Sequence, residues 1–543
     1  MIPIKKIGKF VLPLCAIVAF TGCTKLDEKL QSSLTASQAS SALGAAGTGL
    51  LLRAAYNDLA TPFHNQDQIF SLEENTSDES LVPTRGGDWD DNGVWRVLHS
   101  HTWNADHGQI LSVFNNLNKI NFDATNVLGF KPSKSQAAEA RFLRALSLYY
   151  LLDLYGQYPF RNPGDNLLNA PEVKSGTAGM DFIISELTAI MPDLPATNAI
   201  TLASPDAANV LLMKCYLQRG TYENRATPTF DAALMAKVVT LGNQIIASGK
   251  YKLTANYFDN FSFDNDQKST EGIFTYPNFS GVSVNSGLIQ SRWNMTLHYN
   301  SYTPNNPNAG WNGFSTISDF YNSFNTSGVP TAFGPKDTLV DKRIGGRYYA
   351  GATDVSGLRP GLLVGQQFNE NGVAIKDRKG APLAYNPQIA PTMIETGANL
   401  EVTGIRVVKY VPDYAYYGGP SGNDLMIFRF ADVMLMVAEA KQRTGDAAGS
   451  LTIVNQLRAA RGASALVSMP LVNTANVDDP NTLLAERGRE LYWESYRRTD
   501  LIRFGVFLTP WGLKPSDNPK NLLFPLPTQS LSSNPNLKQN PGY

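Results

Sequence analysis

Cysteine is almost missing from this chain, with three in 543 residues. Cys15 and Cys23 fall in an N-terminal leader, which leaves Cys215 alone in the body of the protein. A single thiol can build neither an internal disulfide nor a cysteine-based zinc site. Stability must therefore come from packing, and a chain of this length buries large cores. Charge is scarce too, at 17% of residues, below the usual quarter. The formal net charge is −1 and no long basic block occurs, which excludes a phosphate backbone as ligand. There is no G-x-S-x-G, no Walker motif and no H-E-x-x-H, so no signature of catalysis is present. Asn, Ser, Thr, Gly and aromatics fill the space that charge leaves. That composition suits hydrogen bonding to neutral, hydroxyl-rich ligands, and equally suits any loop-rich exported protein.

The leader carries Lys5, Lys6 and Lys9, then the apolar run FVLPLCAIVAF at 10–20, then Thr21-Gly22-Cys23. The run is too short to span a membrane and reads as a secretory signal, although Pro3 and Pro13 sit awkwardly in it. Phe-Thr-Gly-Cys resembles a bacterial lipobox, which implies cleavage before Cys23 and a diacylglycerol on its sulfur. Such a lipid anchors a chain without any spanning helix. Loss of residues 1–22 leaves 521 residues (543 minus 22), with 43 basic and 47 acidic groups and a charge of −4. Cys215 lies in the apolar stretch DAANVLLMKCYL and is expected as a small buried hydrophobe.

Helical segments have clear ends. Residues 136–155 follow Ser133 and Gln136 at capping-box spacing and stop at Gly156. Residues 205–219 open on Ser204-Pro205 and end at Gly220, and another helix covers 231–248. Residues 429–443 and a partner from Asp446 to Arg461 form a hairpin of tetratricopeptide length, with Ala431, Ala438 and Ala440 allowing close approach. A helix is also expected at 109–119. Between these blocks the chain changes character. Residues 255–326 hold thirteen asparagines among many aromatics, and 327–424 continue as Gly/Pro-rich loops with short strand candidates such as 404–411. Long loops in a compact chain are usually functional. The fold class expected is mostly α, a tetratricopeptide-like scaffold of helical pairs with large irregular insertions and few short strands.

Two of these irregular places combine aromatics, Asn and Gly. The segment 85–108 contains Trp89, Trp95 and Trp103. Trp89 is flanked by acids and glycines, so its indole can stack on the C–H face of a pyranose while Arg85, Asp88 and Asn92 hold hydroxyls. Trp95 and Trp103 are expected to plug the gap to the scaffold. The second place supplies Trp293, Tyr299 and Trp311 as further stacking candidates, with Trp311 either in an exposed turn or folded onto the helices. Both segments are expected to converge on one shallow surface.

Metal and acid–base readings of the same residues are weaker. Asp88-x-Asp90-x-Asn92-Gly93 matches half of a calcium loop, but its twelfth position is His99 rather than glutamate. His64, His99, His101 and His107 cluster in sequence, with His99 and His101 on one face of a strand, yet spacing alone makes no zinc site. No metal and no cofactor is expected. Glu490 and Glu494 stand one helical turn apart, but Arg489, Arg497 and Arg498 would depress their pKa values, which is wrong for a general acid.

The last sixty residues are the most distinctive. In LLAERGRELYWESYRRTDLIRFG, 483–505, Glu486, Glu490, Glu494, Arg497, Asp500 and Arg503 recur at spacings that place them along one helix face as successive ion pairs. PLP at 525–527 and a terminal NPGY follow. Together these resemble the C-terminal segment of the SusD/RagB family, and FRFADVMLMVAEA at 428–440 and the lipobox agree. The resemblance implies four helical pairs scattered along the chain, and a surface-exposed, outer-membrane lipoprotein anchored through Cys23. It implies a non-enzyme that captures oligosaccharide, or in some relatives peptide, for a SusC-like TonB-dependent transporter. The organisation expected is a leader at 1–22, an N-terminal helical region at 23–250 and a C-terminal region at 251–543, integrated into one unit. The alternatives are a peptide-binding tetratricopeptide-type surface protein and a glycoside hydrolase.

Overall fold

Ser133 shows how local sequence sets the scaffold. Its hydroxyl accepts the Gln136 N–H at 3.2 Å while Gln136 Oε1 accepts the Ser133 N–H at 3.0 Å, the reciprocal cap expected from the spacing. The computed structural model describes residues 36–282, 289–301, 310–324, 341–345, 359–369, 373–411, 413 and 420–543. The leader, Cys23 and Tyr302 lie outside the described residues. Ten helices of seven residues or more carry the described fold: α1 Ala36–Asn57, α2 Gly108–Gly129, α3 Lys134–Tyr155, α4 Gly176–Ile190, α5 Pro205–Glu223, α6 Ala232–Ala247, α7 Phe430–Arg443, α8 Ala447–Ala460, α9 Leu483–Leu491 and α10 Arg497–Arg503. They pack as pairs, α2 on α3, α4 on α5, α5 on α6 and α7 on α8, and α6 also packs on α7. The mostly helical, paired scaffold is as the sequence implied.

α3 ends at Gly156, which takes a left-handed φ of 73° and accepts no larger side chain without meeting Leu523. From Ala138 onward α3 is buried on nearly every side except at Arg141, so it is the axis of the N-terminal half. α5 runs past Gly220 to Glu223, beyond the stop its glycine suggested. Gly220 serves packing instead: a Cβ there would lie 1.8 Å from the Thr229 carbonyl oxygen. α2 likewise extends ten residues beyond the expected 119. Cys215 is buried in α5, and burial pushes its thiol far above the ordinary range.

Strands are short and come in pairs among the described residues. Four of the five pairs use β1 Thr84–Arg85, β2 Gln157–Phe160, β3 Glu172–Ser175, β4 Gly272–Tyr276, β5 Gly361–Leu363, β6 Ile394–Glu395, β7 Arg406–Val408 and β8 Leu425–Arg429, and the fifth joins Gly365–Gln366 to Ala384–Tyr385. β1 pairs in parallel with β6, while β2–β3, β4–β8 and β5–β7 are antiparallel. The β4–β8 ladder carries the irregular central segment onto the start of α7.

The C-terminal charged stretch corrects the sequence reading. It is two helices, α9 and α10, separated by a break in which Trp493 and Ser495 adopt φ of 58° and 67°. The freed backbone donors find acids from the N-terminal half: Trp493 N–H reaches Glu79 Oε2 at 3.3 Å and Ser495 N–H reaches Glu74 Oε1 at 2.6 Å. Asp500 does pair with the next charge, Arg503, at 2.6 Å, but Glu490 and Glu494 find their partners across the fold rather than along one helix face. Glu490 instead accepts Arg429 at 2.7 Å, Arg461 at 2.7 Å and Arg343 at 3.1 Å. Glu486 meets Arg343, Arg458 and Arg489, and Glu494 meets Arg429 and Lys409. All of these groups are buried. The terminal NPGY is tied down as well, with Trp103 Nε1–H donating to the Tyr543 hydroxyl at 2.7 Å and Asn540 Nδ2 to the Phe524 carbonyl at 2.7 Å.

Candidate functional site

Loops at 81–96, 291–301, 310–316 and 400–406 are laced together into one surface. Arg85 and Asp88 exchange backbone hydrogen bonds at 2.9 and 3.2 Å around Gly86, which has a φ of 70°. This tight turn lifts Asp88 and Trp89 out of the β1 strand. The Trp311 N–H donates to the Asn294 carbonyl at 2.7 Å, and the Asn312 and Gly313 N–H groups reach Leu297 and Met295 at 2.8 and 2.9 Å. Gly310 and Gly313 permit this approach, because a Cβ at 310 would lie 2.1 Å from the His298 carbonyl oxygen and one at 313 would lie 2.3 Å from the Trp89 ring.

Trp89 joins the two loops directly. Its Nε1–H donates to the Trp311 carbonyl at 2.7 Å, and its ring stands edge-on to Trp95 and Phe314 at 5.2 and 5.4 Å between centroids. Trp89 and Trp311 are each half-buried, leaving part of both indoles at the surface. Tyr299 completes the aromatic set, and its hydroxyl donates to the exposed Asp88 carboxylate. The Arg378 guanidinium lies 3.8 Å above the Tyr299 ring centre, a cation–π contact. Arg378 Nε–H also donates to Glu401 at 2.7 Å. Glu401 in turn accepts His298 Nε2 at 2.8 Å. Because the Asn300 N–H donates to His298 Nδ1 at 3.0 Å, the ring carries its proton on Nε2 and points it at Glu401.

These partners set the charges. Burial, opposed by Glu401, lowers His298 to about 4, so it is neutral at physiological pH. Burial raises the Glu401 carboxyl, but Arg378 and His298 outweigh it and hold the group below its usual range. Tyr299 is pushed well up by burial and by Asp88, so its hydroxyl stays a donor. The result is a half-buried aromatic platform edged by Asp88, Arg378 and Asn300, with Glu401 buried beneath as a brace for Arg378 and His298. Arg378 and Glu401 were not legible as site residues, since they come from segments whose sequence shows no aromatic or motif signal, whereas His298 and Asn300 flank Tyr299 within the Asn- and aromatic-rich segment 255–326.

Two sequence candidates do not reach this surface. Arg85 is buried beneath it, donating to the Thr403 carbonyl at 2.8 Å and Thr403 Oγ1 at 3.0 Å. It is a strut beside Arg406, because the turn that exposes Asp88 points residue 85 inward. Trp293 is fully buried, since the short helix Ser291–Asn294 sets that side chain against the core rather than the loop face. Asn92 is exposed at a φ of 56° within the turn at 91–93. Trp95 and Trp103 are buried plugs as expected.

The histidines and acids singled out earlier are committed elsewhere. His99 lies in a short helix, not a strand, with Nε2 2.9 Å from the Gly512 carbonyl oxygen. His101 contacts Asp517 and the Thr76 carbonyl, and His107 the Val94 carbonyl. Asp90 pairs with Arg96 at 3.0 Å and Asp91 accepts Trp95 Nε1–H at 2.6 Å. Among the described residues no group of three or more His, Cys, Asp and Glu is placed to hold a metal ion. Burial raises the Glu490 carboxyl, but Arg461, Arg429 and Arg343 pull it far below the usual range. A carboxylate so held keeps no proton at neutral pH.

Comparison with known proteins agrees with this architecture. The model of the SusD family matches residues 270–516. The starch-binding protein SusD of Bacteroides thetaiotaomicron is 28% identical over 87% of this chain and 85% of its own. Among solved structures, NanU of B. fragilis superposes with a TM-score of 0.67 at 18% identity, covering 95% of this chain and 100% of that one. The surface glycan-binding protein A of Bacteroides uniformis gives 0.64 at 18% identity, covering 91% and 99%. The SusD family model thus matches the C-terminal part of this chain, and the starch-binding relative aligns along most of its length.

Proposed function

We propose that this protein is a lipid-anchored glycan-binding protein of the outer membrane, exposed at the cell surface, that passes oligosaccharide to a SusC-like TonB-dependent transporter. The observation that carries the reading is the convergence of Trp89, Tyr299 and Trp311 with Asp88 and Arg378 on one surface. Half-buried rings offer flat faces for the C–H side of a pyranose, while the Asp88 carboxylate, the Asn300 amide and the Arg378 guanidinium edge them with hydroxyl partners. Relatives named for starch and for surface glycans support the ligand class. Among the described residues no helix is long and apolar enough to cross a membrane, which is consistent with a lipid on Cys23 as the anchor. The mature chain then runs from Cys23, with 23–250 and 251–543 acting as one unit. The protein is read as a binder and not an enzyme, because the paired acids Glu490 and Glu494 are buried among cations.

Calorimetry with a panel of neutral oligosaccharides on wild type, Trp89→Ala, Trp311→Ala and Tyr299→Ala tests the site. Affinity is expected between roughly micromolar and millimolar, as suits hand-over, and each variant is expected to weaken it at least tenfold. Undiminished binding in all three folded variants would place recognition elsewhere.

A further inference from the structure

The break between α9 and α10 is held by two acids that the aromatic platform does not use. Glu74 and Glu79 are 0% and 1% exposed. Each gives one oxygen to a backbone donor of the break, Glu74 Oε1 to the Ser495 N–H at 2.6 Å and Glu79 Oε2 to the Trp493 N–H at 3.3 Å. The other oxygens, Glu74 Oε2 and Glu79 Oε1, receive no donor from the rest of the protein, and the two side chains hydrogen-bond each other. An ionised carboxylate only accepts, so a hydrogen bond between two carboxyls requires a proton on one of them. Gly488 of α9 closes this space, since a Cβ there would lie 3.0 Å from Glu79 Oε1.

Neighbouring charges do not replace that proton. Arg497 of α10 passes 3.5 Å from Glu79 Oε1, but its Nε and Nη2 donate to Asp78 at 2.7 and 2.6 Å. Lys409, which follows β7, donates to Glu494 at 2.6 Å and to the Tyr492 carbonyl. Arg292, in the short helix Ser291–Asn294, donates to the Phe63 carbonyl and lies 4.3 Å over the Phe70 ring. Glu73 and Asp78, on the same segment as the pair, add negative charge. Two ionised carboxylates in contact away from water are strongly disfavoured. Burial pushes Glu74 up to about 7, and burial followed by the Glu74 charge pushes Glu79 well above the usual range.

We infer that Glu74 and Glu79 share a proton and form a pH-sensitive lock, which ties the N-terminal half of the chain to the break before α10. Glutamates of the unfolded chain release their protons at about pH 4.3, whereas the folded pair keeps one at neutrality. The stability this proton supplies is complete below about pH 4.3 and is lost as pH rises through the pair's own titration. Over that span opening releases a proton, so the opening constant rises by up to about tenfold per pH unit. In alkali the second carboxyl ionises, and the two acids repel at the point where the Trp493 and Ser495 N–H groups depend on them.

Hydrogen exchange read by mass spectrometry tests the lock in the wild-type protein, through peptides covering 491–496. Their protection, corrected for the intrinsic base-catalysed rate, is expected to fall at least about tenfold between about pH 5 and about pH 8. Glu74→Gln places a permanent amide donor where the shared proton sits, and Glu79→Gln does so from the other side. In guanidinium unfolding, the folding constant of either variant relative to wild type is expected to rise at least about tenfold over the same span. Protection at 491–496 that does not change with pH overturns the inference. So do Glu74→Gln and Glu79→Gln proteins whose stability follows pH as the wild type's does.

Discussion

Replacing Glu490 by Gln removes a charge with three ionic partners from the buried network while keeping its shape. The cluster around it contains six cations, Arg343, Arg429, Arg458, Arg461, Arg489 and Lys409, and five anions, Asp341, Glu271, Glu486, Glu490 and Glu494. Loss of one anion leaves six cations against four, all within a region that water does not reach. Breaking a buried pair from one side costs about 3–5 kcal/mol, because the partners stay behind uncompensated. Here Arg461 and Arg429 keep Glu271 as a second partner at 2.7 and 3.0 Å, which favours the lower end of that range. Guanidinium unfolding followed by circular dichroism and by tryptophan fluorescence measures the change, with coincidence of the two probes as the test of a single transition. Asp181→Asn, which breaks the exposed pair with Arg219 at 2.9 Å, is the control and is expected to cost under about 1 kcal/mol. The pH dependence carries a sign of its own. Glu490 is held below its unfolded value, so its contribution is complete above about pH 4.3 and is lost as pH falls below that. The gap between wild type and Glu490→Gln should be constant from neutrality down to about pH 5 and narrow in stronger acid. A Glu490→Gln protein no less stable than the Asp181→Asn control would refute the view that this network holds the C-terminal segment in place.

Two further outcomes follow from the same geometry. Gly313→Ala introduces a Cβ that would sit 2.3 Å from the Trp89 ring; the ring must move, and oligosaccharide affinity measured by calorimetry should fall while the melting temperature changes little. Cys23→Ala should release the protein from the membrane fraction, and mass spectrometry of the native protein should find a lipid-modified Cys23 at the mature N-terminus. An unmodified N-terminus beyond residue 23 would overturn the anchor.

How far the sequence could be read depended on how local each cause was. The Ser133 cap, the Gly156 stop, the Asp446 cap between α7 and α8 and the apolar surroundings of Cys215 involve neighbours within a few residues, and each was legible. The break between α9 and α10 was not, because the acids that satisfy it, Glu74 and Glu79, come from more than four hundred positions earlier in the chain. The spacing of charges in 483–505 is helical, but tertiary partners outcompete the neighbour along the helix when both sit in a medium of low dielectric.

The same division governs the candidate site. Composition and the pairing of aromatic with Asn and Gly marked the loops near 89, 299 and 311, and those loops do meet through the Trp89–Trp311 hydrogen bond. Which of their side chains face outward was settled by packing alone: the turn at Gly86 lifts Asp88 and turns Arg85 inward, and a four-residue helix buries Trp293. Arg378 and Glu401 join these loops only because the chain returns to them from distant segments. By itself the sequence determined the class of fold, the caps and stops of its helices and the kind of surface its insertions could make. The tertiary structure decided which charges are buried, where a helix breaks and which rings reach solvent, because each of these is a contest between a residue's neighbours in the chain and its neighbours in space.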